Sequence, residues 1–227
     1  MASILITGSS SGLGAALLQA LKIDGHTVHG YDIKDGLDVS KPDLEYIVKI
    51  PKGIDILINC AGINKIDWLP SFSEDDYDKV MNVNAKGIFM MSKVCLPLLI
   101  KSKGTILNIV SNASHMPMTC SLAYNASKAA AHMMTLQMAR ELTKQHGITV
   151  FGISPNKLEG TEMSKDIEGQ VEKTRGWTKE YANHYQLNSL LTGKETPVNN
   201  VAMFIQFLLS KKENHKYLTG CVIPYGA

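Results

Sequence analysis

The chain has 227 residues, 44% of them hydrophobic and 19% charged, so it can bury a core and is not a disordered segment. Its 23 Lys and Arg against 21 Asp and Glu leave a net charge of +2, too balanced for a protein that grips a nucleic-acid backbone through a basic face. The sequence shows no apolar run of the roughly 20 residues that span a bilayer. It also shows no basic leader before Ser3, no Cys-x-x-Cys pair and no His-Glu-x-x-His pattern, which predicts a cytoplasmic protein with no metal site. The four cysteines, Cys60, Cys95, Cys120 and Cys221, read as buried free thiols.

In chain order, short apolar runs alternate with helical patterns. A strand is predicted over Ile4–Thr7, followed by a glycine-rich turn and a helix over Gly12–Asp24. A second strand, Thr27–Tyr31, ends at Asp32 and leads to a helix over Leu44–Lys49. A third strand, Ile54–Asn59, precedes helices over Ser73–Lys79 and Val80–Ile100. A fourth, Thr105–Ser111, precedes a long helix over Ser121–Gln145, and a fifth spans Thr149–Ser154. A polar excursion over residues 157–193, carrying Trp177, Tyr181, His184 and Tyr185, then interrupts the rhythm. A final helix, Pro197–Leu209, and a strand, Leu218–Pro224, close the chain. Runs such as Ile54–Ile58 are nearly continuous in apolar residues, the mark of strands buried on both faces. Strand–helix alternation then implies one α/β domain, residues 1–227, with a doubly wound, mostly parallel sheet. The excursion reads as a lid, since long irregular insertions in compact domains tend to be functional.

Three groups of residues point to chemistry. Thr7–Gly14 reads Thr-Gly-Ser-Ser-Ser-Gly-Leu-Gly between a strand and a helix. Glycines there allow a tight turn and let backbone N–H groups approach a pyrophosphate at the helix N-terminus; a merely flexible loop is the alternative. Asp32 stands eighteen residues after Gly14, where a carboxylate can accept from ribose hydroxyls and repel a 2′-phosphate. Neither Ser10 nor Ser11 supplies a cation for such a phosphate, so NAD is favoured over NADP, with Lys34 arguing the other way. Tyr124 and Lys128 are four apart and share a helix face. An ammonium beside a phenol lowers the phenol's pKa from ~10 and fits it for acid–base work. Ser111 ends a strand at the ligand-facing edge of a parallel sheet.

With these residues in place the chain resembles the short-chain dehydrogenase/reductase family over nearly its whole length. The family's cofactor turn matches Thr7, Gly8, Gly12 and Gly14, with Ser10, Ser11 and Leu13 between them. Its Asn-x-Ala-Gly motif appears as Asn59-Cys60-Ala61-Gly62, and its adenine-flanking pair as Asp38-Val39. Asn84, Ser111, Tyr124 and Lys128 match its active-site residues in order and spacing. The resemblance implies a Rossmann-type sheet of about seven strands and a nicotinamide cofactor. It implies that Tyr124 exchanges a proton with an alcohol or carbonyl substrate and that Lys128 lowers the Tyr124 pKa and binds the ribose. Ser111 would donate to the substrate oxygen, and Asn84 would hold a water linked to Lys128. It also implies a homotetramer or homodimer built on the Val80–Ile100 and Ser121–Gln145 helices.

Two departures stand out. The family's Pro-Gly turn is here Pro155-Asn156, with Thr161 one residue late, and the connection from Asp32 to Asp38 is shortened. Asn tolerates left-handed backbone, so the turn can survive the exchange. The mixed polar and aromatic excursion suits a sugar, polyol or small hydroxy or keto compound; 3-oxoacyl thioester reduction is an alternative that Asp32 opposes. A non-catalytic, cofactor-binding regulator of the same fold is the other alternative, and it would have no need of Tyr124 or Lys128.

Overall fold

Runs of four to seven residues that are apolar on both faces become stable only side by side beneath helices. The computed structural model, which describes residues 1–50, 53–188 and 190–226, arranges them as one six-stranded parallel sheet. The strands are β1 (Ser3–Thr7), β2 (Thr27–Tyr31), β3 (Ile56–Asn59), β4 (Thr105–Ile109), β5 (Thr149–Pro155) and β6 (Val222–Tyr225), in the order β2-β1-β3-β4-β5-β6. This is the expected Rossmann-like architecture with six strands where about seven were expected. Between β5 and β6 the only extra pairing among the described residues is a single bridge, Leu158 to Thr196. Lys157, Glu159, Lys194 and Glu195 flank that bridge, and charged side chains of this kind do not extend a buried strand.

The sheet is covered on both faces because successive side chains alternate across it. Ile4, Ile6, Ile58, Leu107 and Phe151 face one way, onto α1 (Gly12–Ile23) and a C-terminal helix over Val198–Leu209. Leu5, Leu57, Ile106 and Val150 face the other way, onto Met91, Cys95, Leu99 and Ala139. That second layer contains α2 (Leu44–Val48), α3 (Glu74–Met81), α4 (Gly87–Ser102) and α5 (Leu122–His146). Each fully buried Leu or Ile contributes about 1.5–3 kcal/mol. Strand order reverses at β1, which has β2 on one side and β3 on the other, so a crevice opens beyond the carboxyl ends of β1 and β3.

Four sequence expectations are corrected. The two helices expected over 73–79 and 80–100 are one continuous run joined by a π-helical segment, Asn82–Lys86. By length and composition this run could cross a bilayer, but Ile88, Met91, Cys95 and Leu99 on it are buried in the core. The polar excursion is not irregular. It folds into α6 (Glu162–Arg175), capped by Thr161 and stopped by left-handed Gly176, and α7 (Lys179–Asn188); the helix over 198–209 is α8, followed by the short α9 (Lys212–His215). The last strand begins at Val222, because a 3-10 turn over Lys216–Leu218 and Gly220 at φ 78° occupy the residues before it. Of the four free cysteines, only Cys95 is buried, and Cys221 is exposed.

His215 closes the lower end of this core. Its Nδ1 lies 2.8 Å from Leu208 O, its Nε2 lies 3.0 Å from Thr105 Oγ1, and its ring stacks on Phe151. Nδ1–H therefore donates to the carbonyl, and Nε2 accepts from the threonine. Burial pushes its pKa below 6.5. A depressed histidine pKa means that the unfolded chain takes up the proton first. The stability it contributes is full above about pH 6.5 and is lost as pH falls towards the folded value. Thermal melting at pH 7.5 and 5.5 should show this loss in the wild type and a smaller one in His215→Gln; equal losses would exclude His215 as a source.

Candidate active site

The site is assembled at the carboxyl ends of β1, β3, β4 and β5. At β1, Gly8 and Gly12 adopt φ of +67° and +50°. A Cβ on Gly8 would stand 2.7 Å from Ala61 Cα, and one on Gly14 would collide with Gly8 O. The turn thus seals against the Asn59–Gly62 segment, whose Cys60 and Ala61 N–H groups donate to Thr7 Oγ1 at 3.0 and 3.1 Å. Asp43, Ser73 and Thr161 cap α2, α3 and α6 through side-chain oxygens. Ser11, at the N-cap of α1, makes no such bond, and no acidic residue sits in the first turn. The leading N–H groups of α1 are therefore left without a side-chain acceptor, as an anion site requires.

Asp32 ends β2 with a buried carboxylate that accepts from Ser10 N and Lys34 N, both at 2.9 Å. Each oxygen retains acceptor capacity for a hydroxyl. Lys34 does not stand free, since its Nζ lies 3.7 Å from Glu162 on α6. Across the turn, Thr161 places its methyl 3.7 Å from where a Gly12 Cβ would be, so the start of α6 and the glycine turn form two walls of one groove. Ser10, Ser11, Gly12, Thr161 and Glu162 line that groove, which has a volume of about 350 Å³. The uncapped helix end, the Cβ-free turn and the acceptor at Asp32 fit a dinucleotide.

The pair expected to flank adenine lies after the turn that follows β2. Asp38 accepts from Ser40 N at 2.8 Å, and Val39 packs into the core against Gly87. Pro155 is buried at the end of β5, and Asn156 keeps a negative φ, accepting from Lys157 N through its own side chain. The substitution at Asn156 therefore works through a local side-chain bond and needs no left-handed backbone.

Ser111 and Lys128 converge on Tyr124. Ser111 caps a 3-10 turn after β4, its Oγ accepting from Ala113 N at 3.2 Å, and its hydroxyl acts on the Tyr124 phenol to hold its pKa down. Tyr124 sits in the first turn of α5; Lys128, one turn on, places Nζ 5.8 Å from the phenol ring centroid and donates to Ile109 O at 3.0 Å. Burial raises the Tyr124 pKa, which the Ser111 hydroxyl partly offsets, and lowers that of Lys128 to about 8. The net direction for Tyr124 is therefore upward, against the lowering expected from a neighbouring lysine.

Asn84 lies in the π segment and is fully buried. Its Oδ1 accepts from Ile63 N at 2.9 Å, and its Nδ2 donates to Ile63 O at 2.9 Å and Ser127 Oγ at 3.0 Å. Ser127 donates in turn to Tyr124 O at 2.8 Å. Asn84 thus ties the strand β3 loop to the catalytic turn of α5 and makes no bond to Lys128. Deeper in the site, Asn59 Nδ2 bonds Asn108 and Ser92, and Asn108 bonds Thr135, a buried polar chain beneath the site. Sequence reasoning missed Ser127, Asn108 and Asn125. Asn125 holds the carbonyls of Ala113 and Met116 at 2.7 Å and so shapes the loop between Ser111 and Tyr124. Only its place inside the Tyr-x-x-x-Lys segment could have flagged Asn125.

Helix α6 bonds both this loop and the segment after β3. Ile66 N donates to Gln170 Oε1 at 2.7 Å, Trp68 Nε1 donates to Thr174 O at 3.0 Å, and Arg175 donates to Thr119 O. The base of the excursion is pinned by Lys157, whose Nζ lies 2.5 Å from Glu195 and 3.5 Å from Glu168.

Comparison with known proteins places this site among relatives. A family model described as short chain dehydrogenase matches residues 31–172. Sorbitol-6-phosphate 2-dehydrogenase of Klebsiella pneumoniae is 29% identical, covering 96% of this chain and 91% of the relative. A 3-oxoacyl-[acyl-carrier-protein] reductase of Thermotoga maritima is 30% identical, covering 96% and 94%. The crystal structure of NAD+-bound xylitol dehydrogenase superposes with a TM-score of 0.91 at 20% identity, covering 100% of this chain and 98% of that one, which bears on the fold alone.

Proposed function

The chain belongs to the short-chain dehydrogenase/reductase family, and from that premise we propose that it interconverts an alcohol and a carbonyl with NAD(H) favoured over NADP(H). The observation that carries this reading is the convergence of Ser111 and Lys128 on the half-buried Tyr124 phenol beside the glycine turn. The bound nicotinamide would supply or take up the hydride. Tyr124 holds the proton that passes to or from the substrate oxygen. Ser111 donates to that oxygen as charge develops. Lys128, almost dry and with a pKa near 8, balances the charge of the phenol as the proton leaves. Asn84 and Ser127 fix the turn that carries the tyrosine, which makes them positioning residues. Gly8, Gly12, Gly14 and Asp32 hold the dinucleotide, with Ser10, Ser11 and Leu13 in the turn and Thr161 facing it. Asn59, Ala61 and Gly62 form the floor, and Pro155 the edge.

A polyol or ketose is the substrate class we favour, supported by the polar and aromatic lid and by a polyol-phosphate dehydrogenase among the relatives. Oxoacyl thioester reduction is the second reading, supported by the acyl-carrier-protein reductase relative and opposed by Asp32. Helices α6 and α7 act as the substrate lid. Phe89, Leu122 and Met133 are exposed on α4 and α5, and Met203 and Phe207 on α8. These apolar side chains support assembly as a homotetramer or homodimer. The function is tested by NADH consumption with ketoses, ketose phosphates and an acetoacetyl thioester. Turnover of a ketose or its phosphate above the thioester is expected; turnover of none of them would refute the reading.

A further inference from the structure

Arg175 ends α6 in a setting that the reaction described above does not explain. Its guanidinium is half-buried, lies 4.9 Å over the Trp177 ring and donates to Thr119 O in the loop joining Ser111 to Tyr124. Its Nε–H is sealed from solvent and has no partner. Among the described residues no carboxylate pairs with it, whereas Lys157, the lid's other recessed cation, has both Glu195 and Glu168. The loop over residues 112–121 contains no Asp or Glu. Asp67 accepts from Trp68 N and Asp166 from Gln170, and neither of them nor Glu172, three residues before Arg175, forms an ion pair with the guanidinium among the described residues. A recessed charge without a counterion is costly, and a fork of five donors exceeds what a single bond to Thr119 requires. Trp177, held edge-on by Tyr181 and Tyr185, keeps the guanidinium plane in place.

We propose that Arg175 is an anion subsite at the seam between lid and catalytic loop, selecting a substrate that carries a phosphate or carboxylate away from its reacting carbon. This rests on the dehydrogenase reading and narrows its substrate class. Guanidinium recognises either anion bidentately. Both tryptophans lie on this seam, so Trp68→Phe leaves Trp177 as a local reporter. With NADH saturating, so that the glycine turn is filled, fructose 6-phosphate, acetoacetate and fructose are titrated against Trp177 emission. A saturable change with fructose 6-phosphate or acetoacetate, and none with fructose, is expected; which anion responds identifies its source. Arg175→Met should weaken that response by about 10–100-fold, the worth of a hydrogen bond to a charged group, with NADH affinity unchanged. Arg175→Lys, which keeps the charge and loses the fork, should fall between. No response to either anion, or a response that survives Arg175→Met, would overturn the proposal. Failure of the wild type to bind NADH at all would instead sink the dehydrogenase reading, whatever Trp177 reports in its absence.

Discussion

Tyr124→Phe is expected to lower turnover by at least about 10²-fold while leaving the fold and NADH affinity intact. The phenol ring is half-buried in the first turn of α5, and phenylalanine fills the same space, so packing is preserved. What is lost is the single oxygen that the proposed mechanism places at the substrate. The Ser111 hydroxyl retains Ala113 N as a donor at 3.2 Å, so the serine does not become an orphan. The loss should therefore fall on kcat, with NADH binding by fluorescence unchanged. Full activity in this variant would remove Tyr124 from the chemistry.

Lys128→Met is expected to separate function from stability more sharply. The ammonium is buried, and desolvation takes its pKa from 10.5 to about 8. A folded pKa below the unfolded one means that protonation opposes folding. The destabilisation is complete below about pH 8 and fades as pH rises to 10.5. At about 1.4 kcal/mol per unit, holding the charge in the fold at pH 7 costs about 3 kcal/mol. Methionine removes that cost and forgoes the charged bond to Ile109 O, itself worth about 1.5–3 kcal/mol. Denaturant unfolding at pH 7 should thus show Lys128→Met as stable as the wild type or more stable by up to about 1.5 kcal/mol, with turnover down by about 10²-fold or more. A less stable variant would mean that the lysine is structural and not held at a cost for function.

The sequence carried much of this because backbone constraints leave local marks. Gly14 must be glycine because Gly8 O occupies the place of a Cβ, and the Tyr124–Lys128 spacing follows from helix geometry. The β1, β3, β4 and β5 runs were legible because each is nearly continuous in residues that bury on both faces. What was not legible depends on contacts distant in sequence. Asn84 was singled out by motif, but not its bonds; its partners, Ile63 and Ser127, lie 21 and 43 residues away. The lid reads as irregular because α6 and α7 are polar on most sides. Their order comes from Gln170, Thr174 and Arg175, which bond loops 56 to 108 residues away. The direction of the Tyr124 shift was not legible, because spacing reports a neighbouring charge and not the burial that raises the phenol's pKa.

The central claim, a dinucleotide site read by Asp32, is tested most directly by fluorescence titration with NADH and NADPH, on the wild type and on Asp32→Ala. The wild type should bind NADH at least about tenfold more tightly than NADPH, because the Asp32 carboxylate repels a 2′-phosphate. Asp32→Ala should lose most of that preference, chiefly by weakening NADH. Equal binding of both cofactors by the wild type, or binding of neither, would contradict the account.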